Sequence, residues 1–318
     1  MPVPPTPAHL FVPVALIFVA CTPEVEEPSL PATPDVAFDA DAMMSDLSYL
    51  ADPAFDGREP GSEGDYAARD LIADRFAALG LEAYDGADNY EQPFITYDDI
   101  DTANVIGFVR GTSATVGAEV IVISAHFDHL GNGKLGANDN ASGVSGLLSI
   151  AQAVAEGDPP ERTILFAAFG AEESGFEGSY AYIEAPDGDP GPADVVYNLN
   201  LDMIGSYDQK GIVYALGAVQ GTLARDLLAA TDTDLDVGLD DVSDQSDNAV
   251  FCEAGVPYVF FWTADPACYH KKCDTIDKID ADGLVSISEL VHGLADDLAR
   301  STEDLRSGVK AGVNVCDG

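Results

Sequence analysis

His126 follows an apolar, β-branched run that begins at Glu119, and Asp128 stands two residues further on. On an extended backbone these two side chains point the same way, so a carboxylate is in reach to fix the tautomer of the imidazole. That is the arrangement of a metal ligand and the group that orients it. Asp139 lies within GANDNASG, where a glycine-rich loop gives way to the apolar periodicity of VSGLLSIAQAVAEG. Further on, RTILFAAFG runs into the consecutive acids Glu172 and Glu173, and VVYNLNLDMI carries Asp202 between Leu201 and Met203. Burying an unpaired carboxylate there would cost roughly several kcal/mol unless a cation or hydrogen-bond donors compensate it. His270 sits in TADPACYHKKCDT, the loop after the apolar VPYVFFW. Two imidazoles with three or four carboxylates form the nitrogen and oxygen set that zinc accepts while a position stays open to water. If one carboxylate is shared, five residues supply three ligands to each of two metals roughly 3.5 to 4 Å apart, and one acid is left to act as a base. His292 lies within a helical pattern with no acidic strand end beside it, and a structural role is expected for it.

The elements that must position these residues can be read from periodicity. Each candidate ligand follows an apolar segment without polar alternation, as expected of strands covered on both faces. Helical spacing recurs between them, at Asp41 to Leu50, Asp65 to Leu79, the segment after Asp139, Gly221 to Ala230 and Ala281 to Arg300. An α/β fold with a site at the carboxyl edge of its sheet is therefore expected. Short strands are expected within YEQPFITY and NVIGFVRG, and a loop with a short helix at Ser243 to Gly255.

Of the 318 residues 47% are apolar, and 56 acidic against 14 basic residues give a formal net charge of -42. Such a charge excludes nucleic acid and an anionic membrane surface as partners. Leu10 to Ala20 is apolar for the length of a signal segment and too short to span a bilayer. Cys21 follows it in a setting that resembles the lipobox of bacterial lipoproteins, so residues 1–20 read as a signal segment. The mature chain is then expected outside the cytoplasm, anchored to the membrane through a lipidated Cys21 or secreted. Residues 21–34, rich in Pro and Glu, read as a disordered tether, and 35–318 as one domain without repeats. Cys252, Cys268, Cys273 and Cys316 allow three pairings. Cys268 with Cys273, which bracket a short loop around His270, is the favoured one, leaving Cys252 with Cys316.

Taken together and in order, GREPGSEG, HFDHLG, GANDNASG, GAEESG, NLDMIG and YHKKCDT resemble peptidase family M28, the co-catalytic di-zinc aminopeptidases. The resemblance runs from about Phe55 to Leu298. It implies a three-layer α/β/α sandwich around a mixed, mostly parallel central sheet, two Zn2+ per chain and peptide substrates. It also implies roles. Asp139 would bridge the metals, with His126 and Asp202 completing one site and Glu173 and His270 the other. Asp128 would orient His126, Glu172 would be the general base, and Tyr269 would hydrogen-bond the developing oxyanion. The chain departs from the family at Asn248, where relatives often carry a histidine, and in HKKC before Asp274. Both departures concern the rim of the pocket. A carboxypeptidase or dipeptidase, and a glutaminyl cyclase with one metal, are the alternatives within the superfamily. A binding lipoprotein on the retired scaffold is the alternative outside it, although neither a ligand nor Glu172 is lost.

Overall fold

The computed structural model describes residues 1–2, 28–34, 36–185, 188–264 and 267–308. Its strands are β1 (Glu82–Ala83), β2 (Glu91–Ile95), β3 (Asp101–Val109), β4 (Val120–His126), β5 (Thr163–Phe169), β6 (Val195–Leu201), β7 (Val213–Leu216), β8 (Val237–Gly238) and β9 (Tyr258–Trp262). Its helices are α1 (Ala40–Leu50), α2 (Glu63–Leu79), α3 (Gly143–Glu156), α4 (Glu177–Ile183), α5 (Tyr207–Lys210), α6 (Leu223–Ala230), α7 (Asn248–Glu253) and α8 (Ala281–Arg300). One mixed sheet runs β1-β3-β5-β4-β6-β9-β7-β8, with β2 paired to β3. The four middle strands β5, β4, β6 and β9 are parallel, and antiparallel pairs flank them on both sides.

Covering on both faces explains why the middle strands show no polar alternation. Along β4, Ile121, Ile123 and Ala125 enter one core, whereas Val120 and Val122 enter the core on the opposite face. In β5 the division repeats, with Ile164, Phe166 and Ala168 on one side and Leu165, Ala167 and Phe169 on the other. The first core lies under α1, α2, α3, α6 and α8; the second is closed by α4 and α7 through Tyr182 and Phe251. Leu284, Ile287, Val291, Leu294 and Leu298 line one stripe of α8, and the Asp280 carboxylate caps its start by accepting from Gly283 N at 3.1 Å. This is the expected three-layer α/β/α sandwich.

Several expectations are refined. The strand expected to run through Ile204 ends at Leu201, so Asp202 leaves the ladder where the chain turns away. The two-turn helix α4 was not anticipated; it is too short to establish a period, and Tyr182 anchors it in the second core with Ile183 packed beside it. Part of the segment read as a tether is tied to the domain: Ala32 O and Thr33 Oγ1 accept from Arg75, and Pro34 O from Gln152. Cys268 and Cys273 are joined as expected. Cys252 is disulfide-bonded too, while Cys316, the signal segment and Cys21 lie outside the described residues. No helix among the described residues is long and apolar enough to cross a membrane. His292 packs against the Phe38 ring, with centroids 5.6 Å apart.

Candidate metal centre

The parallel strands deliver their polar residues to one edge. His126 ends β4 opposite Phe169, Glu172 and Glu173 follow β5, Asp202 follows β6, and the loop after β9 brings His270. Asp139 arrives in the turn before α3. His126 Nε2 lies 3.4 Å from both Asp139 Oδ1 and Asp202 Oδ1, and 4.0 Å from Glu172 Oε2. His270 Nε2 lies 3.3 Å from Asp139 Oδ2 and 3.1 Å from Glu173 Oε2. The two oxygens of Asp139 thus face two different donor groups. All five residues expected to bind metal converge here, with Glu172 beside them.

His129, passed over in the sequence, is here as well. Its Nδ1 is 2.6 Å from Glu173 Oε1 and 3.8 Å from Asp139 Oδ2. Donor atoms of His126, Glu172 and Asp202 cluster within 4.8 Å of one another, as do those of His129, Asp139 and Glu173.

The acids of the pocket fall into two kinds. Those of the first kind are already satisfied by the chain. The Asp128 carboxylate accepts from the backbone N–H of Glu172 at 2.9 Å and of Glu173 at 3.2 Å. Asp274 accepts from Asn138 N at 2.8 Å and Asp139 N at 3.0 Å. Asp128 was expected to orient His126 through its carboxylate, but that oxygen is 3.7 Å from Nδ1, and the nearer group is the Asp128 carbonyl at 3.1 Å. The same carboxylate also fixes the two glutamates. The second kind is left bare: Asp139 Oδ2, Glu173 Oε1 and Asp202 Oδ1 are buried without a hydrogen bond, as are both ring nitrogens of His129. Bare oxygens and nitrogens aimed at common points suit divalent cations better than they suit one another.

Electrostatics give the same picture. Burial pushes the Glu172 carboxyl well above the ordinary range, against the pull of His126. It also raises Asp202 and takes Asp247 up to about 7. The carboxylates of Asp139 and Glu173 raise His270 to about 9, and despite burial Glu172 and Asp202 hold His126 well above its usual value.

The loops that carry the donors are pinned by polar residues in GANDNASG and by one cation. Asn140 donates to Leu201 O and accepts from Met203 N, gripping the chain on either side of Asp202, and Asn138 Oδ1 accepts from Gly205 N. Arg58, fully buried, donates to the carbonyls of Leu50, Phe127, Leu135 and Gly136. Beside the donors opens a pocket of about 230 Å³ lined by Asp202, Met203, Leu216, Ser243, Gln245, Phe260, Trp262 and Tyr269. Tyr269 stacks on His270 with centroids 3.7 Å apart. Asn248, buried and not itself lining the pocket, donates to the carbonyl of Ser243, which does.

A mixed sheet whose parallel strands converge histidines and carboxylates on two adjoining donor groups defines the class as a zinc-exopeptidase-like α/β fold. The chain belongs to peptidase family M28, whose profile matches residues 104–295. It is 30% identical over 198 residues to aminopeptidase YwaD of Bacillus subtilis, a match covering 59% of this chain and 43% of that protein. It is also 30% identical over 219 residues to the probable lipoprotein aminopeptidase LpqL of Mycobacterium tuberculosis, covering 57% of this chain and 42% of that one. The matches thus span less than half the length of these curated relatives. Among solved structures, a zinc aminopeptidase from Bacillus subtilis superposes with a TM-score of 0.68 at 18% identity, over 86% of this chain and 98% of that one.

Proposed function

We propose that this chain is a zinc-dependent aminopeptidase that removes N-terminal residues from peptides, with two Zn2+ held by His126, Asp139, Glu173, Asp202 and His270. The observation that carries this reading is Asp139, whose two oxygens face separate donor groups at 3.4 and 3.3 Å while Glu172 stands uncommitted beside them. When bound, such a pair of cations acidifies water and polarises the scissile carbonyl. The protein's own groups do the rest. Glu172, whose carboxyl burial pushes above the ordinary range, takes the proton of the attacking water and returns it to the departing amine. Asp128 holds Glu172 and Glu173 by their backbones, so that the base and its neighbouring ligand keep their relative position. The Tyr269 hydroxyl, whose pKa is pushed up to about 12 by burial and the nearby acids, keeps its proton and serves as a donor to the oxyanion. Met203, Leu216, Phe260 and Trp262 line the wall that receives the substrate's first side chain.

The relationship to a probable lipoprotein aminopeptidase, with the lipobox-like setting of Cys21, supports an extracytoplasmic location, membrane-anchored or secreted. We read residues 35–318 as a single peptidase domain. The test is hydrolysis of aminoacyl-anilides by the mature protein. Chelation should abolish it and zinc should restore it, whereas cleavage that survives chelation would refute the reading. A requirement for a free α-amine separates it from a carboxypeptidase, and release of ammonia from N-terminal glutamine would identify a cyclase.

A further inference from the structure

The structure assigns His129 as a fourth protein ligand to the metal group formed by Asp139, Glu173 and His270. The inference rests on the two-metal reading and deepens it, since that reading leaves His129 without a role. A histidine with no exposed surface and no hydrogen bond at either ring nitrogen is unusual in a well-packed interior. Its surroundings give it one outlet. Nδ1 lies 2.6 Å from Glu173 Oε1, yet neither ring nitrogen completes a hydrogen bond of good geometry.

One donor atom each of His129, Asp139 and Glu173 lies within 4.8 Å of the others, close enough to share a cation. Zinc bonds of about 2.0 to 2.2 Å in a tetrahedron put neighbouring donor atoms roughly 3.3 to 3.5 Å apart. Here His270 Nε2 lies 3.3 Å from Asp139 Oδ2 and 3.1 Å from Glu173 Oε2, and His129 Nδ1 lies 3.8 and 2.6 Å from the same two carboxylates. The two imidazoles meet edge to face, with centroids 5.8 Å apart and planes at 67°, as rings do when their nitrogens point at one centre. The chain also locks the ring in place. Gly136, at φ 62, closes over it so tightly that a Cβ there would come within 2.6 Å of His129 Cγ. The two sites would then differ in kind. Four protein donors would enclose one metal, whereas His126, Asp139 and Asp202 would leave the other an open position, the distinction that separates structural from catalytic zinc.

The test counts imidazoles and metals separately. Zinc-edge X-ray absorption of the unsubstituted protein loaded with two zinc equivalents should find three imidazoles shared between the metals. In His129→Gln, competition titration with a chromophoric chelator should show one of two binding steps weakened roughly 10- to 100-fold and the other unchanged. Thermal unfolding of the metal-free variant checks its fold, and if it fails to fold, the imidazole count on the unsubstituted chain decides alone. Two metals sharing only two imidazoles, or a variant with both steps at their original affinity, overturn the assignment and leave the two-metal reading standing. A chain that takes up one metal overturns both.

Discussion

Arg58→Met should remove much of the stability of this domain, although Arg58 touches neither a substrate nor a metal donor. The guanidinium is fully buried and donates from Nε to Phe127 O at 2.6 Å, from Nη1 to Leu50 O at 2.6 Å and Leu135 O at 2.8 Å, and from Nη2 to Gly136 O at 3.0 Å. Burial lowers its pKa to about 10, with Asp128 and Asp274 the leading opposing charges, so it remains a cation at neutral pH. Methionine fills similar space and leaves the carbonyls of Leu50, Phe127 and Leu135 without a donor, whereas Gly136 O keeps the N–H of Ala141. At about 1 kcal/mol each, the low end of the cost of a buried unsatisfied group, the loss is roughly 3 kcal/mol. That compares with a total of about 5 to 15 kcal/mol for a typical domain. In a domain of this size it corresponds to a fall in Tm of roughly 6 to 12 °C. Arg58→Lys keeps the charge but not the planar fork, so it should fall between the two. Because Arg58 sits at φ 62, a backbone cost that lysine and methionine share, the comparison isolates the side chain. Thermal and urea unfolding of the metal-free proteins provide the measurement. A methionine variant within about 1 kcal/mol of the parent would show that other groups hold these loops, and the argument for Arg58 would fail.

Glu172→Gln should lower kcat by at least about 100-fold while metal analysis finds zinc retained; a near-normal rate would remove Glu172 from the role of base. Stability should depend on pH through His292, whose pKa lies below 6.5 because burial disfavours its charged form. A folded pKa below the unfolded one means that the unfolded chain binds more protons as pH falls through about 6.5, so this contribution is lost on acidification. His292→Phe should flatten that part of the stability profile, and an unchanged slope would exclude His292 as its source. The walls of the pocket predict that leucyl- and phenylalanyl-anilides outpace alanyl-anilide. Trp262→Ala should lower kcat/KM on the bulky substrates roughly 10-fold, the effect of about 1.4 kcal/mol, with little change for alanine; equal losses on all substrates would contradict the assignment of the wall.

What the sequence revealed, and what it hid, follows from the kind of interaction involved. The ends of β4 and β5 were legible because an apolar run that stops at His126, or just before Glu172, changes character abruptly. Helix α8 was legible to the residue, its stripe running unbroken from Leu284 to Leu298. His129 escaped notice although it lies three positions after His126. The chain leaves the strand at His126, and beyond that point side chains no longer alternate by rule. Arg58 was hidden for another reason. Its partners are main-chain carbonyls as far away as Gly136, and a carbonyl leaves no mark on a sequence. Asp247 lay in a polar stretch, SDQSDN, that reads as a loop, and only the fold turns its carboxyl inward toward His126.

These hidden residues share one task. Asp128, Asp139, Glu172, Glu173, Asp202, Asp247 and Asp274 bring more negative charge into one buried region than Arg58 alone can balance. If the metals assembled this cluster, as they do in small zinc domains, its donors would need no other support. Here the chain supplies supports of its own. Backbone N–H groups satisfy Asp128 and Asp274, Asn138 and Asn140 grip the turn beyond Asp202, and Arg58 ties four carbonyls from three separate segments. Histidine donors must be deprotonated to bind a metal, so affinity should climb with pH, and a frame held by the chain's own hydrogen bonds should outlast chelation. The chain has spent its strongest buried hydrogen bonds on second-rank residues so that the oxygens of Asp139, Glu173 and Asp202 can stay bare.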